Sequence, residues 1–474
     1  MPYDIVIGLE VHAQLLTRTK IFCGCSTTFG DAPNTNTCPV CMGLPGVLPV
    51  LNRHVVDCGI KLGLATGSTI ETLNVFARKN YFYPDLPKGY QITQYEAPLC
   101  SHGALEFLLG GTPKTVGITR IHMEEDAGKL IHDEHAPVSY VDYNRAGVPL
   151  LEIVSEPDIV SSDEAVAYLK ALRQLLVYLG ICDGNMETGS LRCDANVSLK
   201  PQGNPVFGTR TEVKNINSFK YVQRALEYEI ERQRGILDSG GTVVQETRLW
   251  DAAEGVTRSM RSKEDSHDYR YFPEPDLIPL RVEETWIEQM RGTLPELPLA
   301  RRARFMAQYA LKAYDAEILT LTKAMADYFE ECVQLYDAPK DICNWIMTEV
   351  LRVLKEEDLA HLRITPAMLT DLIKFVRNGV ITAANAKDVF EEMSATGSSP
   401  GEIIAIRGLT QITNETELRE LIKAAIDANP NQAAAYRKGK TNLAGFFVGK
   451  VMQATHGQAN PQLANTLVKE LLEQ

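Results

Sequence analysis

The sequence predicts an α+β protein, with a sheet-based N-terminal part followed by a helical C-terminal part. Three observations carry this. From Asp4 onward Ile5, Ile7, Leu9 and Val11 fall on one side of a period-two pattern, while Glu10, His12 and Gln14 share the other. Up to about residue 290 the chain is rich in Gly, Pro, aromatic residues and short alternating segments, as sheets joined by structured loops require. At Leu294-Pro295-Glu296-Leu297-Pro298 the texture changes, and nearly every later segment has helical periodicity. Residues 1–293 and 294–406 are therefore separated there, and a second break near Arg407-Gly408 sets off residues 407–474.

Taken in order, the first strand centres on Gly8-Leu9-Glu10-Val11-His12, with an apolar face to anchor it and a polar face carrying two metal-competent side chains. Taken alone, this pattern equally describes a solvated sheet face. Arg120-Ile121-His122-Met123-Glu124-Glu125-Asp126 ends a strand in three acids, and extended geometry sends Glu124 and Glu125 to opposite sides. Glu152 stands alone in the apolar run Leu150 to Val154. Ser161 to Leu179 and Lys220 to Gly235 read as amphipathic helices. In Gly189 to Lys200, Leu191, Cys193, Ala195, Val197 and Leu199 form an apolar face, opposite Arg192, Asp194, Asn196 and Ser198. Arg210, Glu212 and Lys214 share one face of the next strand, an acid between two cations. In the helical part, Thr365-Pro366 and Thr413-Asn414-Glu415-Thr416-Glu417 are helix starts, with caps, an early proline and early acids.

Composition bounds the function. The 474 residues are 45% hydrophobic and 23% charged, and no apolar run reaches the ~18 residues of a membrane span. The N-terminus lacks the basic flank of a signal peptide, so a cytoplasmic location is expected. A net charge of −13 argues against bulk electrostatic capture of nucleic acid. Local capture is open to the tail: Ala428 to Val468 contains no Asp or Glu but includes Arg437, Lys438, Lys440 and Lys450.

Of ten cysteines, four cluster as Cys23-Gly24-Cys25 and Cys38-Pro39-Val40-Cys41. Four thiolates can close a tetrahedral shell around a structural zinc ion, and the C-x2-C half has the spacing for it. Four reduced cysteines in a loop is the alternative. The dispersed acids of five strands, with Lys and Arg nearby, are what Mg-nucleotide chemistry needs: hard oxygen ligands for the metal and cations for phosphate charge. A glycosidase-type carboxylate pair explains neither the cations nor His12. Gly439-Lys440-Thr441 is no P-loop, since Ala434 holds the first glycine position and no strand precedes it; Ser399, before Pro400, reads as a helix cap. Two stretches, Arg78 to Gln91 and Arg261 to Pro273, mix cations with aromatic rings and suit phosphates and unstacked bases, or packing.

The blocks Gly8 to His12, Arg78 to Gln91, His122 to Lys129, Tyr143 to Asp158, Gly189 to Ser198, Glu212 to Phe219, Asp268 to Leu277 and, in the tail, Gly445 to Met452 closely resemble the family of aspartyl/glutamyl-tRNA amidotransferase B-subunits. The likeness runs in order along the whole chain. It implies an N-terminal β-sheet cradle, a helical domain and a small helical tail of the YqeY type. It implies ATP and Mg²⁺ as cofactors, the amidase (the A-subunit) of a complex together with its small C-subunit as partners, and misacylated tRNA as substrate. ATP would phosphorylate the side-chain carboxylate of Glu or Asp on the tRNA, and ammonia from the amidase would displace the phosphate. By this resemblance Glu10, His12, Glu125 and Glu152 are assigned to Mg²⁺ and the catalytic centre, with Glu124, Asp194 and Glu212 beside them. Lys79, Arg210 and Lys214 would face phosphate, and Cys23, Cys25, Cys38 and Cys41 would hold zinc. A metal-dependent phosphohydrolase acting on a small substrate and a zinc-stabilised RNA-binding scaffold are the competing readings.

Overall fold

The structure, a computed structural model, describes residues 2–133, 136–260, 269–354, 359–410, 412, 414–455 and 457–473. Residues 261–268 of the second aromatic stretch and Thr413 of a predicted helix start lie outside the described residues. The chain divides into two compact units, Met1–Ala300 and Arg301–Gln474.

The alternating pattern of the first segment forms a long central strand, β1 (Tyr3–Gln14). The rest of its sheet comprises β2 (Thr69–Ile70), β3 (Phe76–Asn80), β4 (Tyr90–Gln94), β5 (Cys100–Leu109), β6 (Thr112–Glu125), β7 (Pro149–Ser155), β8 (Leu191–Pro201), β9 (Thr211–Lys214), β10 (Thr247–Asp251), β11 (Val256–Ser259) and β12 (Phe272–Pro273). The order is β11-β10-β9-β8-β1-β7-β6-β4-β3-β12, with β5 paired to β6 and β2 to β5. Only the β9–β10 pairing is parallel among these.

Ile7, Leu9, Val11 and Ala13 are fully or almost fully buried in one core with Ile121, Met123, Leu151, Ile153, Cys193 and Ala195. Three long helices, with Ile287 of the short helix Glu284–Arg291, supply the other half of that core. They are α1 (Arg53–Ala65), capped by Asn52, α2 (Ser162–Tyr178), capped by Ser161, and α3 (Phe219–Asp238), capped by Ser218. The two expected helices thus form where their amphipathic patterns lie, with α3 running three residues further. With the helices on the apolar side, the polar side chains of β1 and its neighbours share the opposite face.

The second unit is helical and holds two separate apolar clusters, one from Phe305 to Ile404 and one from Leu418 to Leu472. Thr365 caps the helix Pro366–Arg377, and Ser399 closes a capping box on Pro400–Arg407. That helix ends on Gly408 in the left-handed conformation, φ 61°, and Asn414 caps the following helix, Glu415–Asp427. Gly439-Lys440-Thr441 follows a helix, Pro430–Arg437, as the failed P-loop pattern requires. Among the described residues no helix is long and apolar enough to cross a membrane.

Candidate active site

Antiparallel register decides which polar side chains meet. His12 stands opposite Glu152 on one side and Arg192 on the other, and Glu152 in turn stands opposite His122. Four strands thereby align Arg192, His12, Glu152 and His122 in one row. One step along, Glu10 stands opposite Asp194, and further out Asn196 stands opposite Glu212. Same-face neighbours on adjacent strands are in direct reach of one another.

At the centre, His12 Nε2 lies 3.4 Å from Glu152 Oε2 and 3.7 Å from both Glu124 Oε1 and Glu10 Oε1. His122 Nε2 reaches Glu152 Oε2 at 3.2 Å. Glu124, Glu152 and His122 are buried, and Thr93 Oγ1 donates to Glu124 at 3.3 Å. Lys214 Nζ donates to Asp194 at 2.8 Å and lies 3.0 Å from Glu212, which also accepts from Thr247 Oγ1. Lys79 Nζ sits 5.0 Å from the centre of the Tyr269 ring, within a group of rings formed by Tyr81, Tyr269, Tyr271 and Tyr95. Arg210 is exposed, just before β9.

The charges in this group are set by one another. Burial and then the Glu152 charge push the Glu124 carboxyl up, and the same two causes raise Glu10. Burial also disfavours ionised Glu152, but the two imidazoles outweigh it and hold its pKa well below the usual value. Burial opposes a charged His12, yet the hydrogen bond to Glu152 and the charges of Glu124 and Glu152 push it up to about 9. Lys79 is likewise raised, the attraction of Glu124 overcoming desolvation.

Two sets of ligand atoms lie within 4.8 Å of one another here: His12 with Glu124 and Glu152, and His12 with Glu10 and Asp194. Octahedral Mg²⁺ at ~2.1 Å from its ligands places adjacent donors about 3 Å apart, so donors separated by as much as 4.8 Å must draw together by up to about 1.8 Å to share one ion. The carboxylates suit Mg²⁺ or Mn²⁺.

The structure does not bring Glu125 to this group. Its side chain lies on the other face of β6, where Ile92 N donates to it at 2.8 Å and Lys88 forms a short ion pair with it. Glu125, Lys88, Lys20, Tyr90 and Cys41 line a cavity there. Glu124 stands beside His12 instead. Sequence reasoning also passed over His122, whose position two residues before Glu124 is the available signal. It passed over Asp126 as well, which accepts from Gln14 Nε2 at 2.7 Å, lies 3.0 Å from Arg192 Nη2 and 3.6 Å from Arg145 Nε. This network anchors Arg192 beside His12.

The four clustered cysteines converge, all Sγ atoms within 4.8 Å of one another. Zn–S bonds of ~2.3 Å in a tetrahedron put sulfurs about 3.8 Å apart, so the quartet fits a structural zinc ion after slight closure. Hydrogen bonding from Cys23 is the first cause that brings the Cys41 thiol down to about 4, against burial, with the Cys38 amide and the Lys20 ammonium adding to it. Gly43, φ 67°, follows Cys41 closely, and a side chain there would collide with Lys88 Cγ.

Residues 5–288 match the family model described as the GatB/GatE catalytic domain, and residues 327–472 match that described as the GatB domain. The B-subunit of the aspartyl/glutamyl-tRNA(Asn/Gln) amidotransferase from Geobacter sp. (strain M21) is 57% identical over 478 residues, covering 100% of each chain. The chain belongs to the amidotransferase B-subunit family. Proteins of the same name from Solidesulfovibrio magneticus, 56% identical with 99% of each chain covered, and Thermoanaerobacter sp. (strain X514), 54% identical with 100% of each covered, agree. The family resemblance seen in the sequence is thus shown. The whole group around His12 lies inside the matched catalytic domain.

Proposed function

We propose that this protein activates the side-chain carboxylate of Glu on tRNA(Gln), or of Asp on tRNA(Asn), by ATP-dependent phosphorylation and presents it to ammonia. A carboxylate is a poor electrophile until one oxygen becomes phosphate. The γ-phosphoryl group moves from ATP to that oxygen and ADP leaves; ammonia then attacks the carbonyl carbon and inorganic phosphate departs. The observation that carries this reading is half-buried His12 against buried Glu124 and Glu152 with Glu10 beside it, flanked by the cations Lys79 and Lys214 on one sheet face.

Phosphoryl transfer is positioning plus electrostatic stabilisation. Glu10, His12, Glu124 and Glu152 are the residues that would hold Mg²⁺, which when bound supplies charge neutralisation for the transferring group. Asp194 and Glu212 hold Lys214 in place, and Lys79, Lys214 and exposed Arg210 are suited to phosphate oxygens. Glu125, on the opposite face with Lys88, acts outside the metal group in this reading. Cys23, Cys25, Cys38 and Cys41 hold a structural zinc.

The proposal includes a cradle over residues 1–293, a helical domain over 294–406 and a YqeY-like tail over 407–474. Exposed Lys438, Lys440 and Lys450 support contact of that tail with the tRNA body. The amidase and the small C-subunit of the complex are the expected partners, the former supplying ammonia, in the cytoplasm. The test is reconstitution with these two partners, glutamine, ATP and misacylated tRNA. His12→Ala is expected to abolish tRNA-dependent ADP release and amidation while glutamine hydrolysis persists. Undiminished amidation by that variant, or equal ATP turnover without tRNA, overturns the reading.

A further inference from the structure

Lys20 is fully buried, a condition that lysine almost never meets without a charged partner. Its ammonium donates to Asn36 O at 2.7 Å and Tyr143 O at 3.3 Å, and it lies 3.6 Å from Cys41 Sγ. No carboxylate oxygen lies within 4.0 Å of it among the described residues. Carbonyl dipoles solvate an ammonium but do not neutralise it, and an uncompensated buried charge is costly.

The missing negative charge has an obvious source. Four thiolates around a divalent ion leave two negative charges in excess, in a site partly shielded from water. One of those four sulfurs is the Cys41 Sγ that Lys20 already touches.

We propose that Lys20 is the counter-cation of the four-cysteine metal centre and the strut that ties this centre to the catalytic sheet. The inference rests on the reading of the quartet as a zinc site. The same ammonium grips three chain segments: its own, the C-x2-C loop through Asn36 O and Cys41 Sγ, and the loop before β7 through Tyr143 O. The backbone repeats the connection. Ile21 N donates to Gly147 O at 3.0 Å, Gly147 N donates to Asp126 O at 2.9 Å, and Lys20 N donates to Cys25 O at 3.0 Å. Two residues past Gly147 begins β7, the strand that carries Glu152. Lys20 is thus a positioning residue: it stabilises the thiolates that hold metal and fixes the approach to the active-site strand.

The test uses the full-length chain. Zinc release to a competing chromophoric chelator is measured for wild type, Lys20→Met and Lys20→Gln, with circular dichroism as the check on folding. Partners of metal ligands typically shift affinity about 10–100-fold, and a loss of that size is expected in both variants. Amide hydrogen exchange of the wild-type chain, with and without chelator, supplies a readout that needs no variant. Metal removal is expected to raise exchange in residues 143–148 together with residues 20–25. Wild type that binds no zinc overturns the zinc reading and the proposal with it. Zinc bound equally by wild type and the variants overturns the proposal alone, as does unchanged exchange at 143–148 on metal removal.

Discussion

Glu124 and Glu125, adjacent in one strand, serve opposite faces of the sheet: Glu124 Oε1 lies 3.7 Å from His12 Nε2, whereas Glu125 accepts from Ile92 N and pairs with Lys88. One residue of separation turns the carboxylate through the sheet. Two acids that look interchangeable in the sequence therefore have different chemistry.

The pair gives the first prediction. Glu124→Gln removes a charge from the metal group and is expected to weaken Mn²⁺ binding about tenfold or more and to lower amidation about 10²-fold. Glu125→Gln is expected to leave Mn²⁺ affinity within about threefold of wild type. Titration calorimetry on both variants measures this, and equal losses would contradict the division of faces.

Lys79 carries an ammonium strengthened by Glu124, although burial opposes it. Lys79→Met is expected to raise the KM for ATP about 10-fold or more, the value of one charge-assisted hydrogen bond. Steady-state kinetics of the assembled enzyme at varied ATP decide it; an unchanged KM for ATP would place phosphate elsewhere.

Asp126 is buried, and although burial disfavours its charge, Arg192, Arg145 and Gln14 hold its pKa below the usual 3.8. A carboxylate lowered in the folded state adds stability that is complete above 3.8 and drains as pH falls past it toward the folded value. Asp126→Asn is expected to cost about 1–3 kcal/mol at neutral pH, since half-buried Arg192 and Arg145 lose their buried charged partner. It should also flatten the acid limb of stability against pH. Urea unfolding from pH 3 to 7 tests both, and a variant with the wild-type acid limb would assign that limb to other carboxylates.

Gly43 combines a φ of 67° with close approach to Lys88. Gly43→Ala is expected to destabilise the first unit by about 1–3 kcal/mol and to disturb the Lys88–Glu125 pair. Thermal unfolding and a crystal structure of the variant measure these, and an unchanged melting temperature would remove the argument.

Much of this architecture was written locally. The alternation of β1 and β8 and the caps at Ser161, Thr365 and Ser399 are short-range signals, and each appears where the residues place it. The face of Glu125 was legible too, since Ile121 and Met123 share its parity and belong to the core. The resemblance instead put weight on the wider motif. What no local pattern carries is strand order: that Glu152 falls between His12 and His122 depends on one pairing across 140 residues of sequence and another across 30. Lys20 escaped for a different reason, because a lone lysine beside apolar residues defaults to solvent and only the fold reveals its burial.

The central position of β1 has a consequence for synthesis. Among the described strands it is made first, yet its two neighbours are β7 and β8, ending at Ser155 and Pro201. At ~5–20 residues per second, its second edge waits about 10–40 s for a partner. Until the segments of β7 and α2 are made, Ile5, Ile7, Leu9 and Val11 lack most of the residues that cover them. The segment that supplies Glu10 and His12 is thus also the one that most needs shelter while the chain is being made.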